Sequence, residues 1–337
     1  MTRSKPALWV GAFVGFYRPD VDEVRQLDPV SKFLYAARSV ILVISAQAAI
    51  IAGLLAATDG QFYTSRFVLV LIAFVVAHMI SNLSNDYFGF RRGHDTPESP
   101  RMRYTVHPLA SGVLETRTLV TGLLVLAAIG LGIAAFFISV HGWLAAAFLI
   151  AGVALLFGYD AAPVPLKNIG LGELAVFLVW GPLLVGGGYA VIAGHVSMQA
   201  FYASIPYGFG VMSILIGKHI DQSDFDIGKG IRTLPVLLGE RAARALNIGL
   251  IVSMYAVTAL LIMLGLLTPF AAIVIVASAR GWHAVSVLSQ PRPPNAPPGY
   301  VGWPLWYHRV CLVHNRAFGW LYIFGLAVGA VWPSLRT

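Results

Sequence analysis

Apolar residues run along this chain in blocks of about twenty, the length a helix needs to cross a bilayer. Polar residues gather between the blocks. The pattern predicts nine spans, at 39–57, 66–85, 118–139, 142–159, 172–193, 200–219, 244–266, 269–287 and 316–334. Several contain Gly or Pro (Gly181-Pro182, Gly186 to Gly188, Pro206). Within lipid such residues are tolerated where neighbouring helices satisfy the freed backbone, and small residues let helices approach closely. Ahead of the first block, Asp28-Pro29 is a helix start, with Asp as the cap and Pro at the first helical position. Residues 29–38 read as a short amphipathic helix on the membrane surface. The expected fold is all-α, a polytopic membrane domain over 39–337 preceded by an interfacial segment, 1–38.

Composition supports this reading. Of 337 residues, 58% are hydrophobic and 11% charged, where a soluble domain carries about a quarter charged. The net charge of +8 would suggest nucleic acid, but its distribution argues otherwise. With the N-terminus cytoplasmic, segments 1–38, 86–117, 160–171, 220–243 and 288–315 share one side. Together with Lys218, Arg244, Arg280 and Arg316, at or near the cytoplasmic ends of spans, they account for every Lys and Arg except Arg66 and Arg336. This is the positive-inside pattern. The charge is topological, and anionic lipid rather than nucleic acid is the expected partner. In this orientation the C-terminus falls on the far side, and the membrane is expected to be a prokaryotic cell membrane.

The basic residues Arg3, Lys5, Arg18, Arg25, Lys32 and Arg38, interspersed with Trp9, Phe13, Phe16 and Tyr17, place 1–38 against the headgroups. No cleaved signal is expected, because no compact apolar region with a small-residue cleavage site follows the basic start. The proline-rich stretch 290–307 carries interfacial aromatics and is expected to be an ordered loop near the surface. Cys311 is the single cysteine, which excludes an intrachain disulfide.

Every carboxylate except Asp59 also lies on the cytoplasmic side, which the positive-inside rule does not demand. Three constellations stand out there. The first follows the apolar run Phe67 to Ile80: Asn82, Asn85 and Asp86, then Arg91, Arg92 and Asp95. On a helix, 82, 85 and 86 share a face. Oxygen donors of this kind suit Mg²⁺, which is usually completed by water and substrate phosphates. The second holds Lys218, Asp221, Asp224, Asp226, Lys229 and Arg232, with Gly228 and Gly230 allowing close backbone approach to a ligand. The third runs from Tyr159 to Lys167, followed by Gly170-Leu-Gly172-Glu173, and Lys167 is a candidate phosphate ligand. Each also reads as an ordinary cytoplasmic feature: a capped helix end, a polar loop with local ion pairs, an interfacial tyrosine. The first two follow the second and sixth spans, a faint repeat of the kind duplicated half-bundles leave. Carboxylates brought together repel unless a cation lies between them, so the pair together suggests a site for a metal-bound polyanion. No histidine or cysteine spacing suggests zinc, and there is no nucleophile elbow or Walker loop.

Asn85-Asp86 to Asp95, Tyr159 to Lys167 with its Gly-Leu-Gly-Glu, and Gly230-x-Arg-Thr-Leu-Pro-Val-Leu-Leu-Gly239 resemble the UbiA superfamily of intramembrane prenyltransferases. Within it they look most like the 1,4-dihydroxy-2-naphthoate polyprenyltransferases of menaquinone biosynthesis. The resemblance covers about 38–334 and implies nine helices ringing a central cavity. Gly89 stands where the first family motif usually has Asp. Asp221 and Asp226 are five apart where the second usually has a pair four apart, and Ile231 replaces a common Lys.

The resemblance implies Mg²⁺-dependent transfer of a prenyl group from a prenyl diphosphate to a hydrophobic or aromatic acceptor. Asn82, Asp86, Asp95, Asp221 and Asp226 are then the expected metal ligands, and those four aspartates with Tyr159 the expected catalytic residues. Asn82, Asn85, Arg91 or Arg92, Lys167, Lys218 and Arg232 are expected to bind substrate. A terpene cyclase or transfer to a non-aromatic acceptor would use the same site, and a transporter or lipid-binding protein would use the half-bundle symmetry alone.

Overall fold

A computed structural model of the chain describes residues 19–96 and 99–332. The basic and aromatic residues expected at the headgroups before residue 19, and Arg336, lie outside these. All regular structure among the described residues is helical. Two short helices, α1 (Val21–Arg25) and α2 (Pro29–Ala36), precede the membrane domain. Asp28 caps α2 as its sequence predicts, its side chain accepting from the Ser31 backbone N–H at 3.3 Å.

Among the described residues, nine helices are long and apolar enough to span a membrane: α3 (Ser39–Thr58), α4 (Thr64–Arg91), α5 (Thr116–His141), α6 (Trp143–Asp160), α7 (Gly172–Ala193), α8 (Met198–Gly228), α10 (Glu240–Met263), α11 (Pro269–Leu288) and α12 (Tyr307–Val331). The short helix α9 (Leu234–Leu238) joins α8 to α10. Each helix packs on its neighbour in sequence, and α12 returns to pack on α3, which closes the ring. Helix α3 also touches α7 and α8. These three are the most buried spans, whereas α5 and α6 turn most of their apolar surface outward.

Three spans depart from their predicted ends. Helices α4 and α8 continue past residues 85 and 219, to Arg91 and Gly228, and α12 begins early, at Tyr307. A helix satisfies its own backbone wherever it goes, so it need not stop where the apolar run stops. The first two constellations consequently sit on rigid helix ends. Within α7, Val179–Gly186 winds as a π-helix around Pro182, a local widening of the kind that often marks functional positions.

Arg38 links α2 to α3 and is the one non-glycine described residue with positive φ, 56°. That conformation costs an L-residue roughly 1–2 kcal/mol and must be held by other contacts. Those contacts lie in the site.

Candidate active site

The ring encloses a cavity of about 1940 Å³, larger than the several hundred Å³ usual for small-molecule sites. Its deep walls are apolar, with Phe74, Phe137, Phe148 and Leu156 among them. Its ionisable lining is one-sided. Arg38, Arg101, Lys218, Arg280, Arg309 and Arg316 face it, and among the described residues the only lining carboxylates are Glu23 and Asp28, from α1 and the start of α2. Asp86, Asp160, Glu173, Asp221 and Asp226 of the sequence constellations are buried and outside this lining.

Asp86 is fully buried. Arg38 donates to it, and Arg101, in a 3₁₀ turn at Pro100–Arg103, approaches with two nitrogens, the second at 2.9 Å. One carboxylate thus aims two guanidiniums at the cavity, and this pairing holds Arg38 in its unusual conformation. Burial disfavours the charge of Arg101, but the adjacent Asp86 outweighs it and raises the guanidinium pKa. Asn82, one turn earlier on α4, donates to the Ala37 carbonyl at 2.9 Å and fastens the same linker.

Asp95 follows α4 after a turn. Nε2 of His107 lies 3.3 Å from its Oδ2. The other ring nitrogen, Nδ1, accepts from the backbone N–H groups of Leu109 and Ala110, each at 3.2 Å, so the ring proton sits on Nε2, facing Asp95. Burial works against the Asp95 charge, but His107 and Arg101 outweigh it and hold the carboxyl below the ordinary range. Gly89 explains where Asp95 fits. A Cβ on residue 89 would stand 2.0 Å from Asp95 Oδ2, so the Asp95 carboxylate fills the space a side chain at 89 would take.

The third constellation docks on the first. Asp160 is buried and receives Lys167 and, at 2.9 Å, Asn85. Arg92 donates to the carbonyls of Asp160, Ala161 and Ala162, the last at 2.8 Å. Tyr159 lines the cavity, with Lys167 Nζ 6.0 Å from its ring centre. Buried Glu173 bonds His219 Nδ1 at 2.6 Å and accepts from the Leu234 backbone N–H.

The second constellation separates. Because α8 runs through it, Asp221 and Asp226, five residues apart, point about 140° apart around the helix. Asp221 turns to α12, accepting from the backbone N–H groups of Tyr307 at 3.1 Å and His308 at 2.9 Å, while Arg292 bonds its carbonyl. The resemblance implies that Asp221 ligates a metal; in this structure its carboxylate caps the first turn of α12. Gly217 permits this, since a Cβ there would meet His308 N at 2.9 Å. Asp226 turns inward, and its buried Oδ2 has no hydrogen-bond partner among the described residues. Lys218, Gln222 and Asp226 follow one face of α8. Lys218 reaches the cavity, and Gln222 bonds the Tyr104 hydroxyl at 3.0 Å. Arg91, Asp224 and Arg232 are exposed and outside the cavity lining, so the expected substrate-binding roles of Arg91 and Arg232 find no support in their placement.

Among the described residues no three His, Cys, Asp or Glu side chains converge on a point that could hold a metal alone. The donor set fits a divalent ion only as one shared with a phosphate ligand. Asp226 keeps an unsatisfied buried oxygen, and Asn82 and Asn85 face the cavity. Sequence reasoning passed over Arg101 and read Arg38 only as a topological charge. A lone arginine beside a span carries no spacing that would distinguish an anion ligand from a topology signal.

Fold and site together define a polytopic membrane protein built around a deep, cation-mouthed cavity. The chain belongs to the UbiA prenyltransferase family, whose profile matches residues 46–303; it is an integral membrane enzyme, a prenyltransferase. It is 25% identical over 286 residues to 1,4-dihydroxy-2-naphthoate octaprenyltransferase of Bacillus subtilis, covering 82% of this chain and 86% of that one. It is 26% identical over 201 residues to the 2-carboxy-1,4-naphthoquinone phytyltransferase of Synechocystis, covering 60% and 64%. The fold is shared with a UbiA homologue from Archaeoglobus fulgidus solved with GPP and Mg²⁺ (TM-score 0.57, 16% identity, 88% of this chain and 99% of that one).

Proposed function

We propose that the chain transfers a prenyl group from a prenyl diphosphate to a hydroxylated aromatic acceptor of the naphthoate type, at the cytoplasmic face of a cell membrane. The observation that carries this reading is the polarity of the cavity: apolar walls within the spans, and a mouth lined by Arg38, Arg101 and Lys218. An isoprenoid tail suits the first and a diphosphate the second. The acceptor class is supported by the names of the two naphthalene-ring relatives.

The reaction breaks the bond between the allylic C1 and the diphosphate oxygen, forms a bond from C1 to a ring carbon of the acceptor, and releases the proton from that carbon. Arg38 and Arg101 neutralise the departing diphosphate, held in place by Asp86, which costs no reorganisation at the moment of bond breaking. Lys218 approaches from α8, and Lys167 and Arg92 stand behind through Asp160. The apolar walls exclude water from the allylic centre. Mg²⁺ accompanying the diphosphate would be held by Asp226 with Asn82, Asp86 and Asp95, and would supply further neutralisation of the leaving group. For Asp86 that requires giving up part of its arginine pair.

The test is product analysis by mass spectrometry, with purified protein in liposomes given geranylgeranyl diphosphate, Mg²⁺ and 1,4-dihydroxy-2-naphthoate. A prenylated naphthoate product is expected. A cyclised hydrocarbon formed without acceptor would replace this reading with a terpene cyclase, and an unreacted diphosphate would refute both.

A further inference from the structure

Within the cavity, two turns from Asp86 on α4, three polar side chains from three spans meet. Trp180 Nε1 lies 3.1 Å from Ser45 Oγ, and Ser45 Oγ lies 2.9 Å from His78 Nδ1. The rings of His78 and Trp180 meet edge to face at 5.1 Å and 73°. Ser45 belongs to α3, His78 to α4 and Trp180 to the π-helical turn of α7, and all three line the cavity. An ionisable residue in the middle of a span is costly and is by default a functional candidate. The same helix face carries His78, Asn82 and Asp86 at four-residue steps, so His78 lies about 12 Å along the axis from the Asp86 clamp. The diphosphate clamp of Arg38, Arg101 and Asp86 does not involve it.

The donor and acceptor inventory orders the trio. An indole N–H only donates, so Ser45 accepts from Trp180. Its own O–H is then available to His78 Nδ1, and in the tautomer that accepts it the imidazole proton sits on Nε2. That nitrogen has no hydrogen-bond partner among the described residues, and the ring borders the cavity. In that arrangement the chain Trp180 to Ser45 to His78 presents an oriented N–H donor to the cavity, whose lining also includes the aromatic side chains of Trp180 and Phe74.

We propose that this trio is the polar subsite for the acceptor, with His78 Nε2–H donating to a ring hydroxyl or carbonyl oxygen while the aromatic walls hold the ring. With the diphosphate at the mouth, C1 lies one bridging oxygen deeper, between the clamp and His78. An acceptor tethered at His78 is thus presented to C1 from the inner side. This assignment rests on the transferase reading above and names the part of the cavity that selects its second substrate. A site built to hydrogen-bond an oxygen penalises loss of that bond strongly, because the polar groups are left unpaired.

The test is steady-state kinetics in liposomes with 1,4-dihydroxy-2-naphthoate and geranylgeranyl diphosphate as probes, for His78→Leu, His78→Gln, Ser45→Ala and Trp180→Phe. His78→Leu is expected to raise KM for the naphthoate roughly tenfold or more and leave KM for the diphosphate within about twofold. His78→Gln, whose amide places an N–H near the Nε2 position, is expected to recover most of the loss, and Trp180→Phe and Ser45→Ala to fall between. Unchanged naphthoate KM in His78→Leu, or both KM values rising together, would overturn the subsite. If His78→Leu does not insert, Trp180→Phe decides by the same split, since it keeps an aromatic ring in place while removing the indole N–H donor. A wild-type enzyme that never prenylates the naphthoate refutes the acceptor reading itself, a result distinct from a wild type that turns over and a His78 series that does not respond.

Discussion

Gly89 and Asp95 show how one carboxylate can be supplied from another position. Asp95 Oδ2 sits where a side chain on residue 89 would begin, and His107 and Arg101 keep it charged. Gly89→Asp alone therefore places two carboxylates in the space of one, and turnover is expected to fall about tenfold or more from their repulsion. Gly89→Asp combined with Asp95→Gly is expected to regain most of it, because a single carboxylate again occupies that space. Initial rates of the two variants against wild type check this. Asp86→Asn is expected to be more severe. It leaves Arg38 and Arg101 without their buried counter-charge, a loss of about 3–5 kcal/mol in stability, read by denaturation in detergent, and about 100-fold in turnover. At this scale the sequence was partly legible. Asn82, Asp86, Asp95 and Lys167 announced themselves as polar groups beside apolar runs, whereas Ser45, His78 and Trp180 did not. Single polar residues inside a span form no spacing pattern until folding brings three helices together.

The lengths of α4 and α8 decide what their acidic residues can do. Hydropathy located both spans but not their ends, because a helix that projects from the membrane keeps its hydrogen bonds after its apolar run stops. Reading 220–243 as a cytoplasmic segment left Asp221 and Asp226 as equivalent candidates, and a helix continuous to Gly228 sends them to different neighbours. Their variants are expected to separate accordingly. Asp221→Asn weakens a cap on α12, so the melting temperature should drop by the equivalent of about 0.5–2 kcal/mol while most turnover at low temperature survives. Asp226→Asn should do the reverse, losing turnover and keeping or gaining stability, since it neutralises an unsatisfied buried oxygen. Paired melting curves and rates would reveal the contrast. Equal loss of turnover in both would return Asp221 to the reaction centre.

Taken whole, the molecule is a closed ring of spans with its charge concentrated at one end. The number of spans found among the described residues was legible in the apolar blocks of the sequence, because lipid punishes a misplaced apolar block more than any local preference can offset. The cavity was implied only by the family resemblance, since no linear pattern says that helices close around a space. Its cationic lining, with the buried motif carboxylates outside it, predicts that divalent metal arrives with the diphosphate. Product formation is expected to saturate with Mg²⁺ only when diphosphate is present, and isothermal titration of the protein with Mg²⁺ alone is expected to show weak binding or none. Tight binding in the absence of diphosphate would mean that the aspartates rearrange into a metal cage.

The central claim is that this cavity couples departure of a diphosphate to capture of the prenyl group by an aromatic acceptor. The most direct measurement follows diphosphate release and prenylated product together, in liposomes, with and without 1,4-dihydroxy-2-naphthoate. The account predicts one diphosphate released per prenylated naphthoate, little release without acceptor, and loss of both in Arg101→Met. Diphosphate release that is independent of acceptor and unmatched by prenylated product would contradict it.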